Sequence, residues 1–343
     1  MMKRRELLSC SLQNQFLTEK GNRLEILSEL CGLQAQFAAN PREALRIRAR
    51  DFSEDSWSEG LLKVWTFRNT IHVIRADELG LFLSAKGDNG PWGESWWGVP
   101  AAVKPYWSEF IREKVAAGVE EREALKAECR RAGMDEELLG RVFHGWGGLI
   151  KEMSDRGLIA YRPGAGKRFF LPEPPEWMDR DEARRILLER YFRRFSPASA
   201  EDCAAFTGFG LPEVRRLMKT LPLRSVEAEG KEYFFLGELP RPRPLPACVY
   251  LAGFDQLLMG YKDRTRLLDP EDKLLAVNQA GIAYPGILLY GRLRARWKKE
   301  PGRLLITPYH PLSPVACRLA AAAGRRLFGQ KELSVVFLPP CRP

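Results

Sequence analysis

Two glutamines, Gln34 and Gln36, fall in the run Leu33-Gln34-Ala35-Gln36-Phe37, where apolar and polar residues alternate with period two. An extended backbone turns both amides to one side. A neutral amide does not readily take a proton, so the pair cannot be the strong general base that a poor leaving group demands. It can aim carbonyl oxygens at a developing cation and hold a water beside it. The leaving group must then be activated beforehand. On spacing alone, a more ordinary reading stands beside this one: two polar residues at a helix turn, facing solvent.

The other chemical residues are sparse. The three histidines, His72, His144 and His310, lie apart from any cysteine or carboxylate cluster with ligand spacing. The seven cysteines are odd in number and form no C-x-x-C pair, so neither a metal nor a cofactor is expected. Lys and Arg number 54 against 44 Asp and Glu, a net charge of +10 that favours a polyanionic partner without proving one. The longest uncharged run, 274–291, contains Asn278, Gln279, Gly281, Pro285 and Gly286, which suits strands and turns better than a membrane helix. The N-terminus has Glu6 and the polar residues Ser9, Ser11, Gln13 and Asn14 where a signal peptide would be apolar. The expectation is a cytoplasmic protein with no membrane partner.

The 343 residues allow two or three domains with large cores. Residues 4–31 read as two helices broken at Lys20-Gly21-Asn22, with Gly32 just past the second. Asn40-Pro41-Arg42-Glu43 reads as a capped helix start, and 64–74 as a hairpin breaking near Arg68-Asn69. Helices followed by a hairpin is the winged-helix order. It recurs over 120–171, with a turn at Pro163-Gly164-Ala165-Gly166-Lys167, and again over 181–236, where Ser199 with Asp202 marks a helix start. The Pro-rich joint 239–246 precedes short β-type runs, an alanine-rich helix over 314–327 and a last strand near 333–338. The reading is an α+β fold: three tandem winged-helix units at 1–115, 116–178 and 179–238, then a C-terminal β-barrel-like or sheet domain at 239–343. Arg292, Arg294, Arg296 and Lys298 alternate along one run, which predicts a basic face.

Four segments, in order across nearly the whole chain, resemble the winged-helix DNA glycosylases of the AlkZ and YcaQ type, which excise alkylated purines and unhook interstrand crosslinks. Gly32-Leu33-Gln34-Ala35-Gln36 is similar to the family's catalytic Gln-aliphatic-Gln motif. Residues 64–73 resemble its first wing, 196–202 a repeated helix start, and 251–264 a C-terminal segment. Asn69 stands where the wing is expected to have Gly, and Ala280-Gly281 where Asn-Gly is common. The Trp-rich segment 88–105, with Trp92, Trp96 and Trp97, is unlike the helix the family leads one to expect and reads as an insertion.

The resemblance implies a central DNA channel with Gln34 and Gln36 as catalytic residues facing the lesion. An N3- or N7-alkylated purine is cationic and departs as a neutral base, the activated leaving group that two amides require. The implied reaction is hydrolysis to an abasic site by a monofunctional enzyme, since no amine nucleophile adjoins the motif in sequence. The implied partner is double-stranded DNA bearing an alkylated purine or a crosslink, met by a monomer.

DNA contacts are expected from Arg68, Thr70 and His72 of the first wing, from Asp255 and Arg264, and from Arg292, Arg294, Arg296 and Lys298. Each has a plainer alternative: a hydrogen-bonded structural histidine, a capped and salt-bridged turn, or an edge strand blunted by charge. Trp96 and Trp97 stand between base stacking and core packing. The alternative function is a winged-helix transcriptional regulator that binds duplex without chemistry.

Overall fold

The structure, a computed structural model, describes residues 2–87, 90–164 and 166–341. Asp88 and Asn89 of the Trp-rich segment and Ala165 of the 163–167 turn lie outside the described residues. The chain folds as two compact units, one of Met1–Gln34, Asn40–Trp57 and Arg185–Pro343, the other of Ala35–Ala39 and Ser58–Arg184. It is an α+β protein whose helices and hairpins are consistent with winged-helix repeats.

In the first unit the helices Arg4–Asn14 and Arg23–Glu29 are separated at the Gly-Asn break. Asn22 caps the second, its side chain accepting from Glu25 N–H, which satisfies one of the donors a helix start leaves open. Cys31 and Gly32 both take left-handed backbone (φ 55 and 78), and the chain leaves extended at Leu33–Gln34. The helix Ala39–Arg48 starts one residue before Asn40, so Asn40 lies inside it and is not its cap. Gly253 explains the burial of Asn40, since a Cβ at Gly253 would sit 2.7 Å from the Asn40 Oδ1.

Residues 185–194, the helices Ala200–Thr207 and Leu211–Met218, and the hairpin Leu223–Ala228 with Lys231–Leu236 give one helices-then-wing repeat. Ser199 and Asp202 form a capping box. Tyr191, Phe195 and Phe206 stack in its core, with Tyr191 and Phe195 ring centroids 4.8 Å apart. The close approach of this core to the helix Gln256–Met259 needs Gly260, where a Cβ would meet the Phe195 ring at 2.4 Å.

The C-terminal strands make an open five-stranded sheet in the order Cys248–Leu251, Gly286–Leu289, Arg292–Glu300, Arg303–Pro308, Ser334–Phe337. The last pair is parallel and the others antiparallel. Among the described residues no pairing joins the two outer strands, so the sheet does not close into a barrel. The helix Pro314–Leu327 covers it, with the Tyr250 hydroxyl donating to the Ala320 carbonyl at 2.8 Å.

The second unit holds two wings in one sheet. The hairpin Leu61–Trp65 with Ile71–Arg75 continues through Lys63 opposite Tyr161 into the hairpin Ala160–Tyr161 with Phe169–Phe170. The turn of the first hairpin is left-handed at Arg68 and Asn69 (φ 50 and 53). Asparagine tolerates that conformation better than most side chains, so the missing glycine is accommodated. The helices Lys104–Ala116, Arg122–Arg131, Glu136–Val142 and Gly148–Asp155 enclose a core of Trp107, Ile111, Leu125, Leu149 and Met153.

The Trp-rich segment is pinned to this core. Arg156 lies over the Trp92 ring at 3.9 Å, and the Lys104 ammonium donates to the Gly93 carbonyl at 2.6 Å and to Glu152 at 2.8 Å.

Candidate active site

The Gln36 loop is tied to the first wing by the Ala35 N–H, which donates to the Ile71 carbonyl at 2.8 Å. Ile71 lies opposite Trp65 and Val73 opposite Lys63, so Lys63, Trp65 and Ile71 share one face of the hairpin. That face is one wall of a cleft of about 390 Å³. Gln36 is half-exposed on it, together with Lys63, Trp65, Tyr161, His144 and Trp146.

The cleft is basic and aromatic. Lys63, Arg122 and Lys167 line it, and among the described residues no carboxylate does. Lys63 is only 8% exposed, and its ammonium lies 5.6 Å from the Tyr161 ring centroid. Burial, and then the charge of Lys167, hold the Lys63 pKa below the ordinary lysine value. Burial pushes the Tyr161 phenol up to about 12, so it stays protonated. Arg122 donates to the Phe143 carbonyl, which holds the 143–147 loop against the wall. In that loop the Trp146 N–H donates to His144 Nδ1 at 3.3 Å, and the His144 ring packs 4.8 Å from that of Trp97. Trp146 itself is left 67% exposed at the cleft.

Gln34 belongs to the first unit and is 5% exposed. Its Oε1 is buried without a hydrogen-bond partner among the described residues. The bend that delivers it is held by Gln256, whose amide donates to the Leu30 carbonyl at 3.3 Å and also to that of Gly32. Gln256 is 2% exposed and acts as a positioning residue; only its place inside the 251–264 segment hinted at it.

Of the residues expected at the site, Gln36 alone lines this cleft. His72 does not present itself to solvent: it is wholly buried, with Nδ1 2.7 Å from Thr66 Oγ1 and 3.2 Å from the Thr70 carbonyl. Burial, followed by the charge of Arg68, drives its pKa down to about 3, so it is a neutral structural histidine.

Asp255 is likewise not a DNA contact. It is fully buried, grips Arg48 through two bonds of 2.6 and 2.9 Å, and caps its own helix by accepting from Leu257 N–H at 2.9 Å. A buried carboxylate so paired has no capacity left for phosphate or base.

Arg264 is half-buried and donates through Nε to the Leu258 carbonyl at 3.0 Å, stapling the turn. Thr70 donates to the Phe67 carbonyl at 2.9 Å within the wing turn, beside half-exposed Arg68.

Arg292, Arg294, Arg296 and Lys298 do fall on the more exposed face of one strand. That strand lies inside the sheet and is not an edge blunted by charge. Arg292 and Arg294 share Asp269, the latter at 2.8 Å, while the Arg296 guanidinium lies 4.7 Å from the Tyr284 ring centroid. Lys298 is exposed and pairs with Glu300 at 2.9 Å. Trp97 packs inward, where a Cβ on Gly147 would meet it at 2.1 Å, and Trp96 is 90% exposed.

Winged-helix-type repeats with a basic, aromatic cleft point to a DNA-binding protein. Its sequence matches the profile of the AlkZ-like DNA glycosylases over residues 27–329, and the chain belongs to that family. It is accordingly an enzyme with DNA glycosylase activity.

An interstrand DNA cross-link repair glycosylase of Streptomyces sahachiroi is 28% identical over 339 residues, covering 89% of this chain and 90% of that protein. The solved structure of the Streptomyces sahachiroi DNA glycosylase AlkZ superposes with a TM-score of 0.80 at 25% identity, covering 98% of this chain and 100% of that one.

Proposed function

We propose that the chain hydrolyses the N-glycosidic bond of cationic N3- or N7-alkylpurines in duplex DNA, interstrand crosslinks included. The observation that carries this reading is Gln36, half-exposed in a cleft lined by cations and aromatics with no carboxylate among the described residues. Without a carboxylate there is no strong base for a neutral leaving group, so the substrate must bring its own activation. A cationic purine does so. Stacking on Trp146 would hold the base, the lysines would meet the phosphates, and the Gln36 carbonyl oxygen would face the sugar as it gains positive charge, with Gln34 as the second catalytic amide of this reading. Crosslink repair by the Streptomyces sahachiroi relative supports including crosslinks among the substrates.

In this reading the chain works as a monomer. Three winged-helix units at 1–115, 116–178 and 179–238, with the C-terminal domain at 239–343, would meet the DNA. Arg68, Thr70, Arg296 and Lys298 would approach the backbone as peripheral contacts.

The test is gel-resolved base release from a 7-methylguanine duplex and a crosslinked duplex side by side. Release of free base with an abasic product from both is expected. Salt-dependent duplex binding without release from either would make the chain a regulator-like binder and overturn the reading.

A further inference from the structure

The glycosylase reading gives Trp146 to the damaged base and leaves another exposed indole unused. Trp96 is 90% exposed and stands outside the residues that line the Gln36 cleft. It is not one of the isolated surface aromatics that scatter singly over any protein. Its ring packs edge-on against that of Trp97, with centroids 4.9 Å apart, and the Trp97 ring lies 4.8 Å from that of His144, which lines the cleft. A row of three rings leads outward from the cleft wall and ends on Trp96.

The segment that carries Trp96 is braced by cations. Arg156 donates to the Gly90 carbonyl at 2.8 Å, Lys104 to that of Gly93 at 2.6 Å and Arg141 to that of Gly98 at 2.8 Å. The carboxylate of Glu94, two residues away, accepts from the Ala101 N–H at 3.1 Å. Trp97 fits against Gly147 so closely that a Cβ there would meet its ring at 2.1 Å. Trp96 is thus an open ring on a fixed support with cations around it. In a paired duplex the base faces are covered by their stacked neighbours, and only edges and phosphates are presented. A ring outside the cleft finds a face to stack on where a base has lost its partner strand.

We propose that Trp96 stacks on an unpaired nucleobase next to the lesion, so that the protein takes damage bordered by single-stranded DNA in preference to damage in fully paired DNA. The proposal rests on the glycosylase reading, in which the cleft receives the damaged nucleotide. Every base has a π-face, so the preference follows pairing and not base identity.

The test is fluorescence anisotropy with the full chain and three DNAs that carry a tetrahydrofuran site in place of the damaged nucleotide, so that no base release is needed. One is paired throughout. A second is forked, with unpaired thymidines beginning beside the site, and a third is forked with abasic residues in place of those thymidines, which keeps the phosphates and removes the bases. The thymidine fork is expected to bind about tenfold tighter than the other two, within the range for one base–aromatic stack. Trp96→Ala is expected to remove that gain while affinity for the paired duplex stays within about twofold, and Trp96→Phe, which keeps a ring face, to retain most of it. Equal binding of the two forks would reduce the gain to phosphate contact and overturn the proposal. A Trp96→Ala loss of the same size on all three DNAs, the mark of a wedge or a general contact, would overturn it too, as would no loss on any. Release of 7-methylguanine from paired DNA is scored separately, which tells a failed glycosylase reading from a failed preference for unpaired flanks.

Discussion

Arg48 and Asp255 face one another as a fully buried bidentate ion pair, at 2.6 and 2.9 Å, between the helix Ala39–Arg48 and the helix start next to Gln256. The Arg48 guanidinium also donates to the Gln15 carbonyl at 3.0 Å, so one cation joins three chain segments behind the bend that carries Gln34. Removing one partner leaves a charge stranded in a low-dielectric interior. Asp255→Ala is expected to cost about 3–5 kcal/mol, read as a lower urea midpoint with an unchanged m-value. A loss under about 1 kcal/mol would mean that the pair is solvated.

Gln256 predicts a different signature. Its amide ties the Leu30 and Gly32 carbonyls, and it lies outside the Gln36 cleft. Gln256→Ala is expected to slow single-turnover base release by roughly tenfold or more, as misplacement of a positioned group does, while duplex affinity stays within about threefold. Equal losses in affinity and rate would mark it as a DNA contact.

His72 makes acid stability diagnostic. Its folded pKa of about 3 lies below the ordinary histidine value of 6.5. Above that ordinary value both folded and unfolded states are neutral, and the group adds no pH dependence. Between it and the folded value only the unfolded state takes the proton, so stability falls as pH falls, with a slope approaching about 1.4 kcal/mol per pH unit, and levels off below. Urea unfolding at pH 7, 5 and 4 should show a shallower decline for His72→Gln than for the native chain. Parallel declines would contradict the neutral, buried assignment.

Trp146 is 67% exposed at the cleft, where its ring is open for a base to stack on. Trp146→Ala is expected to weaken binding of lesion-bearing duplex by about tenfold, within the range for one base–aromatic stack, with little change on undamaged duplex. Fluorescence anisotropy on the two duplexes measures both. An equal loss on both would assign Trp146 to general DNA contact.

These expectations trace how much the chain could tell before it was folded. Glycine and capping signals marked the break before Arg23, the Ser199 helix start and the wing turn at Arg68-Asn69, because each is decided by neighbours in sequence. The cleft was not legible in the same way. Lys63 meets Tyr161 across a pairing of two separate hairpins, and His144 and Trp146 arrive on a loop held by Arg122. No local pattern encodes those distances.

Strand alternation could not say which face the core would take, so a DNA contact and a structural histidine both stood open for His72, and its burial favours the second. For Asp255 the capped, salt-bridged turn is the alternative the structure favours, and its partner Arg48 lies too far upstream for the sequence to have named it.

The most direct measurement is single-turnover release of 7-methylguanine from duplex DNA by Gln34→Ala and Gln36→Ala, paired with the affinity of each for the same duplex. The account predicts that each variant slows release by about a hundredfold, the usual scale for removing one preorganised polar group, and binds within about threefold of the native chain. Release at the native rate by both variants would contradict it.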